Sequence, residues 1–126
     1  MNIIELYNLQ LKTFTEQDAL DYCSINNINP NDITLLSLSF NKLTDIIGIK
    51  IFKNLEELYI SYNNITNISN LKNLNNLKRL YLNNNQITDI SVIQYFKNLE
   101  KLNIGYLKLE SDQIQYINSL NNLKTL

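Results

Sequence analysis

The chain has 126 residues, of which 44% are apolar and 18% charged, and its net charge is −1. This balance is typical of one globular domain rather than of a disordered segment. The sequence contains no His, one Cys and no basic run, which excludes histidine-dependent catalysis and argues against a thiolate metal site and a nucleic-acid-binding face.

Residues 1–32 are predicted to form an N-terminal capping repeat that carries a helix. The spacing L-x-x-L-x-L of Leu6, Leu9 and Leu11 predicts a strand centred on Leu9. Phe14 then stands at the ninth position, where the repeats described next have an Asn. Thr15 is the predicted N-cap of a helix over about residues 16–27. The side chains expected to face inward are Ala19, Leu20, Cys23 and Ile28.

The middle of the chain repeats one frame of 22 residues three times. The frame is L-x-x-L-x-L-x-x-N-x-L-x-x-L-x-x-L-x-x-L, and Leu, Ile or Phe fills every apolar position in all three copies. Neither helical nor strand periodicity alone explains this spacing, so the chain is predicted to be a repeat protein. The three copies are residues 33–54, 55–76 and 77–98, and their Asn residues are Asn41, Asn63 and Asn85.

Two degenerate copies follow, at residues 99–122 and, in part, 123–126. In the first of them Leu107 occupies the position of the Asn, so we expect its turn to differ from those of the preceding copies. The sequence ends at Leu126, at the start of a further copy and without a polar cap. This predicts either that the sequence is a piece of a longer protein or that another chain covers this end.

The frame predicts a different backbone structure for each of the two sides of a coil. Apolar residues at its fourth and sixth positions are typical of a strand with one buried face, and successive copies place such strands side by side, about 4.8 Å apart, in a parallel sheet. An Asn at the ninth position can satisfy backbone groups that are buried where the chain turns inward. The three-residue spacing that follows suits an extended or 3-10 return. Because one coil cannot bury its own faces, the coils must stack into a solenoid.

The frame, above all over residues 55–74, resembles the leucine-rich repeats of internalins and of the nuclear regulatory subunit of type-1 protein phosphatase. The resemblance covers residues 33–106. It implies an α/β leucine-rich-repeat solenoid with a parallel β-sheet on the concave face, a 3-10 or extended convex side and one N-terminal capping helix. It also implies that Asn41, Asn63 and Asn85 form a ladder of amides along the solenoid, and it identifies no partner.

The concave face of such a sheet is the surface that the framework leaves free for binding. We expect Tyr59 and Tyr81 to stack across neighbouring strands, and Glu57 to form a weak surface ion pair with Arg79. Tyr and Arg are enriched in binding hot spots, but exposed tyrosines also follow from β-propensity and from the codon bias of an AT-rich genome, which 18 Ile and 23 Asn indicate. The residues predicted to bind a partner are Phe40, Glu57, Tyr59, Tyr62, Arg79, Tyr81, Lys101, Asn103 and Tyr106.

These features predict a non-catalytic protein–protein interaction module, an adaptor or effector that binds a protein on its concave face. The alternatives are a self-assembling unit that forms homo-oligomers through its C-terminal coil, and a regulatory subunit of an enzyme such as a phosphatase. We expect no catalytic residues, no metal, no cofactor, and neither nucleic acid nor membrane as a partner. The sequence lacks both a stretch of roughly 20 apolar residues and the pattern of a signal peptide, which predicts an intracellular protein, in the cytoplasm or nucleus.

Overall fold

The computed structural model describes residues 2–126, and its centre is one parallel β-sheet of five short strands. Each strand has three residues and pairs in parallel with the strand of the next coil, so the order in the sheet is the order in the chain. The predicted parallel sheet of stacked coils is confirmed. The strands are β1 (Ile3–Glu5), β2 (Leu35–Ser37), β3 (Glu57–Tyr59), β4 (Arg79–Tyr81) and β5 (Lys101–Asn103).

One row of leucines holds the strands in register. Leu36, Leu58, Leu80 and Leu102 come from the fourth position of each frame and pair with one another across β2 to β5. None of these four residues is more than 2% exposed. A slip of one residue would turn such a row from the core to the solvent, so the burial of this row specifies the register of the sheet.

The convex side consists of short 3-10 helices, as the three-residue spacing predicts. Side chains just before several of them accept hydrogen bonds from the first backbone N–H groups; for example, Asp89 Oδ1 accepts from Ser91 N at 2.8 Å. This hydrogen bond lowers the pKa of Asp89 from its usual value. The 3-10 helices are Pro30–Asp32, Ile47–Ile51, Ser69–Leu71, Ser91–Tyr95 and Ser111–Gln113.

The predicted N-terminal helix is present as α1 (Glu16–Ile25), two residues shorter than expected. Thr15 is its N-cap: Thr15 Oγ1 accepts from Asp18 N at 3.1 Å, and Asp18 Oδ2 accepts from Thr15 N at 2.9 Å. This reciprocal pair is a capping box, which satisfies donors that the first helical turn leaves free.

One of the inward-facing positions predicted for α1 is wrong. Ala19 and Cys23, which are four residues apart and therefore on one helical face, are buried at 0% and 2% exposure. Leu20 is 47% exposed. It lies about 100° around the helix from Ala19, which takes its side chain off the buried face.

The prediction for the first strand is also wrong. β1 pairs Ile4, not Leu9, with Leu36, and Leu9 is 53% exposed. The ninth position of the frame belongs to Leu9 rather than to Phe14. Leu43, two residues after the ninth-position Asn41, donates its N–H to Asn63 of the next coil. Leu11 makes the equivalent hydrogen bond to Asn41, so the ninth position of its own coil is two residues earlier, at Leu9. The first coil is longer than the others, so the Leu spacing that copies the frame does not mark its strand.

The C-terminal part contains a second helix that was not expected, α2 (Ile114–Asn118). It occupies the place where the frame slips by two residues after Leu109. Beyond α2, Thr125 forms a parallel bridge with Lys101, which extends the sheet past β5. Neither helix within residues 2–126 has the length and hydrophobicity to cross a bilayer.

The Asn side chains at the ninth position bridge successive coils. Asn63 Nδ2 donates to Leu38 O of the preceding coil at 3.0 Å and to Ile60 O of its own coil at 3.2 Å. Its Oδ1 accepts from Leu43 N of the preceding coil at 3.1 Å. Asn41 and Asn85 make the same set of contacts one coil to either side.

The turn of residues 99–122 is closer to the other turns than we expected. Tyr106, which precedes Leu107, has a φ of 58°, and the equivalent Tyr62 has a φ of 56°. The backbone therefore turns in the same way whether Asn or Leu follows. What Leu107 removes is the amide that would bind the preceding coil, so the ladder stops at Asn85.

Candidate functional site

The strand positions that the core leaves free form columns along the concave face. Glu57, Arg79 and Lys101 lie opposite one another on β3, β4 and β5. In the next column Tyr59 lies opposite Tyr81, which in turn lies opposite Asn103. These columns bring together the predicted residues of the third and fifth frame positions, because in a parallel sheet the repeat spacing sets the register.

Two stacked aromatic pairs stand on this face. The ring centroids of Tyr59 and Tyr81 are 4.7 Å apart with planes 23° from parallel, which is the predicted stack. Phe40 and Tyr62 form a second stack at 4.6 Å and 10°. Both distances match the spacing of neighbouring strands, about 4.8 Å, so the sheet itself places the rings in contact. Tyr106 is separated from Tyr62 by the coil of Asn84 and is 85% exposed.

The second stack depends on an uncommon backbone conformation. Phe40 and Tyr62 have positive φ angles of 59° and 56°. Bulky residues seldom adopt this left-handed conformation, whereas Asn84, at the same frame position with a φ of 59°, belongs to a type that does so readily. The repeated turn imposes this conformation on each coil, and sequence reasoning had no signal for it because neither aromatic residue favours it.

Glu57 connects the tyrosine stack to the charged column. Its Oε1 accepts from the Tyr59 hydroxyl at 2.7 Å and from Arg79 Nη1 at 3.3 Å. Glu56 points to the other side of the strand and pairs with Lys78 at 2.7 Å. The predicted Glu57–Arg79 ion pair is present, and Arg79 is exposed, so the pair adds little to stability. The pair fixes the Glu57 carboxylate, and this carboxylate holds Tyr59 in one orientation through the hydrogen bond from its hydroxyl.

The pKa of Tyr59 is raised to about 12. The largest cause is burial, and the hydrogen bond to Glu57 and the negative charge of Glu57 act in the same direction. Since the neutral phenol is favoured in the folded chain, its contribution to the free energy of unfolding is complete below pH 10 and is lost as the pH rises from 10 toward 12. We expect Tyr59→Phe to remove the latest-ionising component from the ultraviolet titration of the tyrosines. Tyr106→Phe is the control, and an identical titration in both variants would contradict the assignment.

A groove of about 690 Å³ lies on the concave face and is lined by residues from all five strands. Its floor consists of the buried Ser37, Ser39 and Ser61, which are short side chains between taller neighbours. The two aromatic stacks and Asn103 also line it. The other residues that line it are Glu5, Tyr7, Asn8, Leu35 and Asn83.

The wall of the groove formed by the first coil was missed by sequence reasoning. Glu5 and Tyr7 stand there because Ile4 and Leu6, which alternate with them, face the core. This alternation is the signal that could have found them. Of the predicted residues, Phe40, Tyr59, Tyr62, Tyr81 and Asn103 line the groove. Glu57, Arg79 and Lys101 form the charged column beside it, and Tyr106 belongs to neither group.

The site offers contact area and hydrogen bonds rather than a metal centre. Within residues 2–126 no group of His, Cys, Asp and Glu side chains is arranged to hold a metal ion. Cys23 lies on the buried face of α1, away from the groove, and its burial raises the pKa of the thiol.

Three solved structures share this fold. An internalin (inlF) of Listeria monocytogenes is 27% identical, with a TM-score of 0.59, over 76% of this chain and 35% of its own. Internalin C2 of the same species is 22% identical, with a TM-score of 0.72, over 99% and 70%. A leucine-rich-repeat protein of Leptospira interrogans is 24% identical, with a TM-score of 0.73, over 98% and 32%. This chain thus spans about a third of the first and third of these proteins.

The comparison by sequence gives the family. No curated protein matches the chain. The family model described as Leucine Rich repeats (2 copies) matches residues 31–73 and, shifted by one repeat, residues 53–95. These matches cover the coils whose apolar frame builds the sheet and whose Asn side chains bridge the turns. The chain belongs to the leucine-rich-repeat family.

Proposed function

We propose that the chain is a non-catalytic module that binds a protein partner on the concave face of its sheet. Proteins with leucine-rich repeats commonly mediate protein–protein interactions. The observation that carries the proposal for this chain is the Tyr59–Tyr81 stack beside Arg79, on an open face with no framework role. Tyr and Arg are the residue types that dominate binding hot spots.

The arrangement supports binding because its side chains are already ordered. Tyr59 is held by its stack on Tyr81 and by its hydrogen bond to Glu57, and Arg79 is held by the same carboxylate. Binding a partner therefore costs little side-chain entropy, which is about 0.5–1.5 kcal/mol for each rotamer-rich side chain that must be immobilised. A rigid aromatic surface with polar edges suits a protein segment that has both apolar and hydrogen-bonding groups.

The test is a triple variant, Tyr59→Ala, Arg79→Ala and Tyr81→Ala. Binders of the wild-type chain are selected from a displayed random-peptide library and their dissociation constants are measured by titration. We expect the triple variant to bind them at least 100-fold more weakly, because removing two or three hot-spot side chains costs about 3 kcal/mol or more. The far-ultraviolet circular dichroism should stay unchanged, since the three side chains are not part of the core.

The matched control lies on the convex side, where Lys72 Nζ sits 5.0 Å from the centroid of the Tyr95 ring. The double variant Lys72→Ala and Tyr95→Ala removes a cation and a tyrosine in contact, as the triple variant does, but from the opposite surface. We expect it to bind like the wild type. Equal loss in both variants, or no loss in the triple variant, would show that the concave face is not the binding surface.

Self-assembly through the C-terminal coil and regulation of an enzyme such as a phosphatase stay predictions of the sequence. No contact in the structure favours either of them over binding on the concave face. The concave groove, in contrast, combines two stacked aromatic pairs with a volume of about 690 Å³.

A further inference from the structure

Charge is distributed unevenly along the solenoid. Residues 1–32 contain five acidic residues and one Lys, which gives a net charge of −4, whereas residues 33–126 contain ten basic and seven acidic residues, which gives +3. Because the coils stack in chain order, the acidic end of the chain is also the end of the sheet that carries β1. The chain therefore has a small net charge but a clear polarity along its axis.

The concave face has the same polarity. The charged side chains at its third, fifth and seventh strand positions are Glu5 on β1, Glu57 on β3, Arg79 on β4 and Lys101 on β5. Glu57 and Arg79 form an ion pair with each other in the middle of the sheet. Within residues 2–126, neither Glu5 nor Lys101 takes part in an ion pair. The face thus has one carboxylate and one ammonium group, at opposite ends, that this part of the chain does not neutralise.

The neighbours in the sheet cannot neutralise these two groups. Glu5 lies opposite the uncharged Ser37, and Lys101 lies between Arg79, which has the same charge, and Thr125. The Tyr7 hydroxyl donates to Glu5 Oε2 at 2.9 Å and so holds the carboxylate on the surface of the face. Glu5 is exposed and Lys101 is half-buried, so a partner can reach both groups from the solvent.

We propose that the groove binds an extended protein segment that places a basic side chain at Glu5 and an acidic side chain at Lys101. This inference rests on the proposed function and names the charge pattern of the partner. Complementary charges determine the register and orientation of a partner more than its affinity. A segment with the opposite pattern would bring like charges together at both ends of the groove, so the face selects against it.

The groove has the length that this partner needs. Glu5 lines it at β1 and Asn103 lines it at β5, and Lys101 stands two residues before Asn103 on the same face of that strand. Four strand spacings of about 4.8 Å separate β1 from β5, about 19 Å in all. An extended segment rises about 3.3 Å per residue. The basic and acidic residues of the partner should therefore be about six positions apart.

The test uses peptides that the wild-type chain selects from the displayed random-peptide library. We expect them to share a Lys or Arg about six positions from an Asp or Glu. Glu5→Gln and Lys101→Gln should each weaken their binding about threefold, as the loss of one partly exposed charge pair does. The matched controls are Glu110→Gln and Lys53→Gln, which neutralise exposed residues outside the groove and should leave the affinity unchanged.

A double-mutant cycle identifies which charges meet. If the basic residue of a peptide is replaced with Ala, Glu5→Gln should no longer weaken binding, whereas Lys101→Gln still should; replacing the acidic residue should do the reverse. Charge reversal gives the larger effect. Glu5→Lys should bind the original peptide roughly tenfold more weakly than the wild type does, because attraction becomes repulsion, and should prefer the peptide in which Glu replaces the basic residue.

Selected peptides without this charge pattern, or Gln variants that bind like the wild type, would overturn the proposal. If that happens while peptide binding still depends on Tyr59, Arg79 and Tyr81, the charge assignment is wrong and the concave face remains the binding surface. If peptide binding is also independent of those three residues, the proposed function fails as well.

Discussion

Asn63→Ala is expected to lower the free energy of unfolding by about 3 kcal/mol. The side chain is 5% exposed and joins two coils through both ends of its amide. Nδ2 donates to Leu38 O and Ile60 O, and Oδ1 accepts from Leu43 N. Alanine replaces none of these hydrogen bonds.

The backbone groups of the neighbouring residues do not lose equally. Leu38 O also accepts from Asn41 Nδ2 at 2.9 Å, and Ile60 O from Asn85 Nδ2 at 2.9 Å, so each carbonyl keeps one donor. The Leu43 N–H gives its hydrogen bond to Asn63 and is buried with that residue. An unpaired buried donor costs about 1–3 kcal/mol, and the two lost amide bonds add about 0.5–1.5 kcal/mol each.

Urea denaturation followed by circular dichroism measures this effect. The control is Asn64→Ala, which changes the same residue type at the next position, where the side chain is exposed. We expect the control to stay within about 0.5 kcal/mol of the wild type, as surface substitutions usually do. A difference between the two variants smaller than about 1 kcal/mol would mean that the amide ladder adds little to the stability of the solenoid.

The regular coils could be predicted because one spacing determines several levels of structure. Once Leu58 and Leu80 occupy the same frame position, stacking the coils puts them opposite each other, and the faces of all other strand residues follow. This is why the Tyr59–Tyr81 stack and the Glu57–Arg79 pair could be expected from the sequence alone.

The first coil could not be predicted in this way. Its sequence offers two alternations, one around Leu9 that copies the frame and one around Ile4 that does not, and local spacing cannot choose between them. The choice is made by pairing with β2 and by the docking of α1, which are contacts between residues far apart in the chain. The wall formed by Glu5 and Tyr7 was missed for the same reason.

The aromatic pair Phe40–Tyr62 shows a second limit. The repeat predicts that Phe40 and Tyr62 occupy the same position in successive coils. The direction of their rings, however, depends on a left-handed φ that these residue types seldom adopt. The hydrogen bonds of the turn, from Phe40 N to Ser61 O and from Tyr62 N to Asn83 O, hold the conformation in place. Such backbone conformations are held by contacts between coils, so the local sequence does not predict them.

Gly48→Ala is expected to be about as damaging as Asn63→Ala, because α1 packs directly on the backbone at this glycine. A Cβ at Gly48 would lie 2.7 Å from Phe14 O and closer still to Thr15 O, distances that real Cβ atoms essentially never show. Both atoms belong to backbone, and Gly48 N donates to Phe14 O at 2.7 Å, so neither side can move without breaking the contact. Overpacking of this kind costs about 1–3 kcal/mol.

The second glycine of the chain provides the control. Neither glycine has a positive φ, and a Cβ at Gly105 would meet the movable Asn103 side chain at 3.3 Å, so Gly105→Ala should be nearly neutral. Loss of α1 docking can be followed at Cys23, which lies on the buried face of the helix and is 2% exposed. We expect a thiol reagent to label Cys23 much faster in Gly48→Ala than in Gly105→Ala or the wild type, since opening of α1 exposes the thiol. Equal labelling rates in the three proteins would mean that the contact between Gly48 and Thr15 does not hold the capping helix on the solenoid.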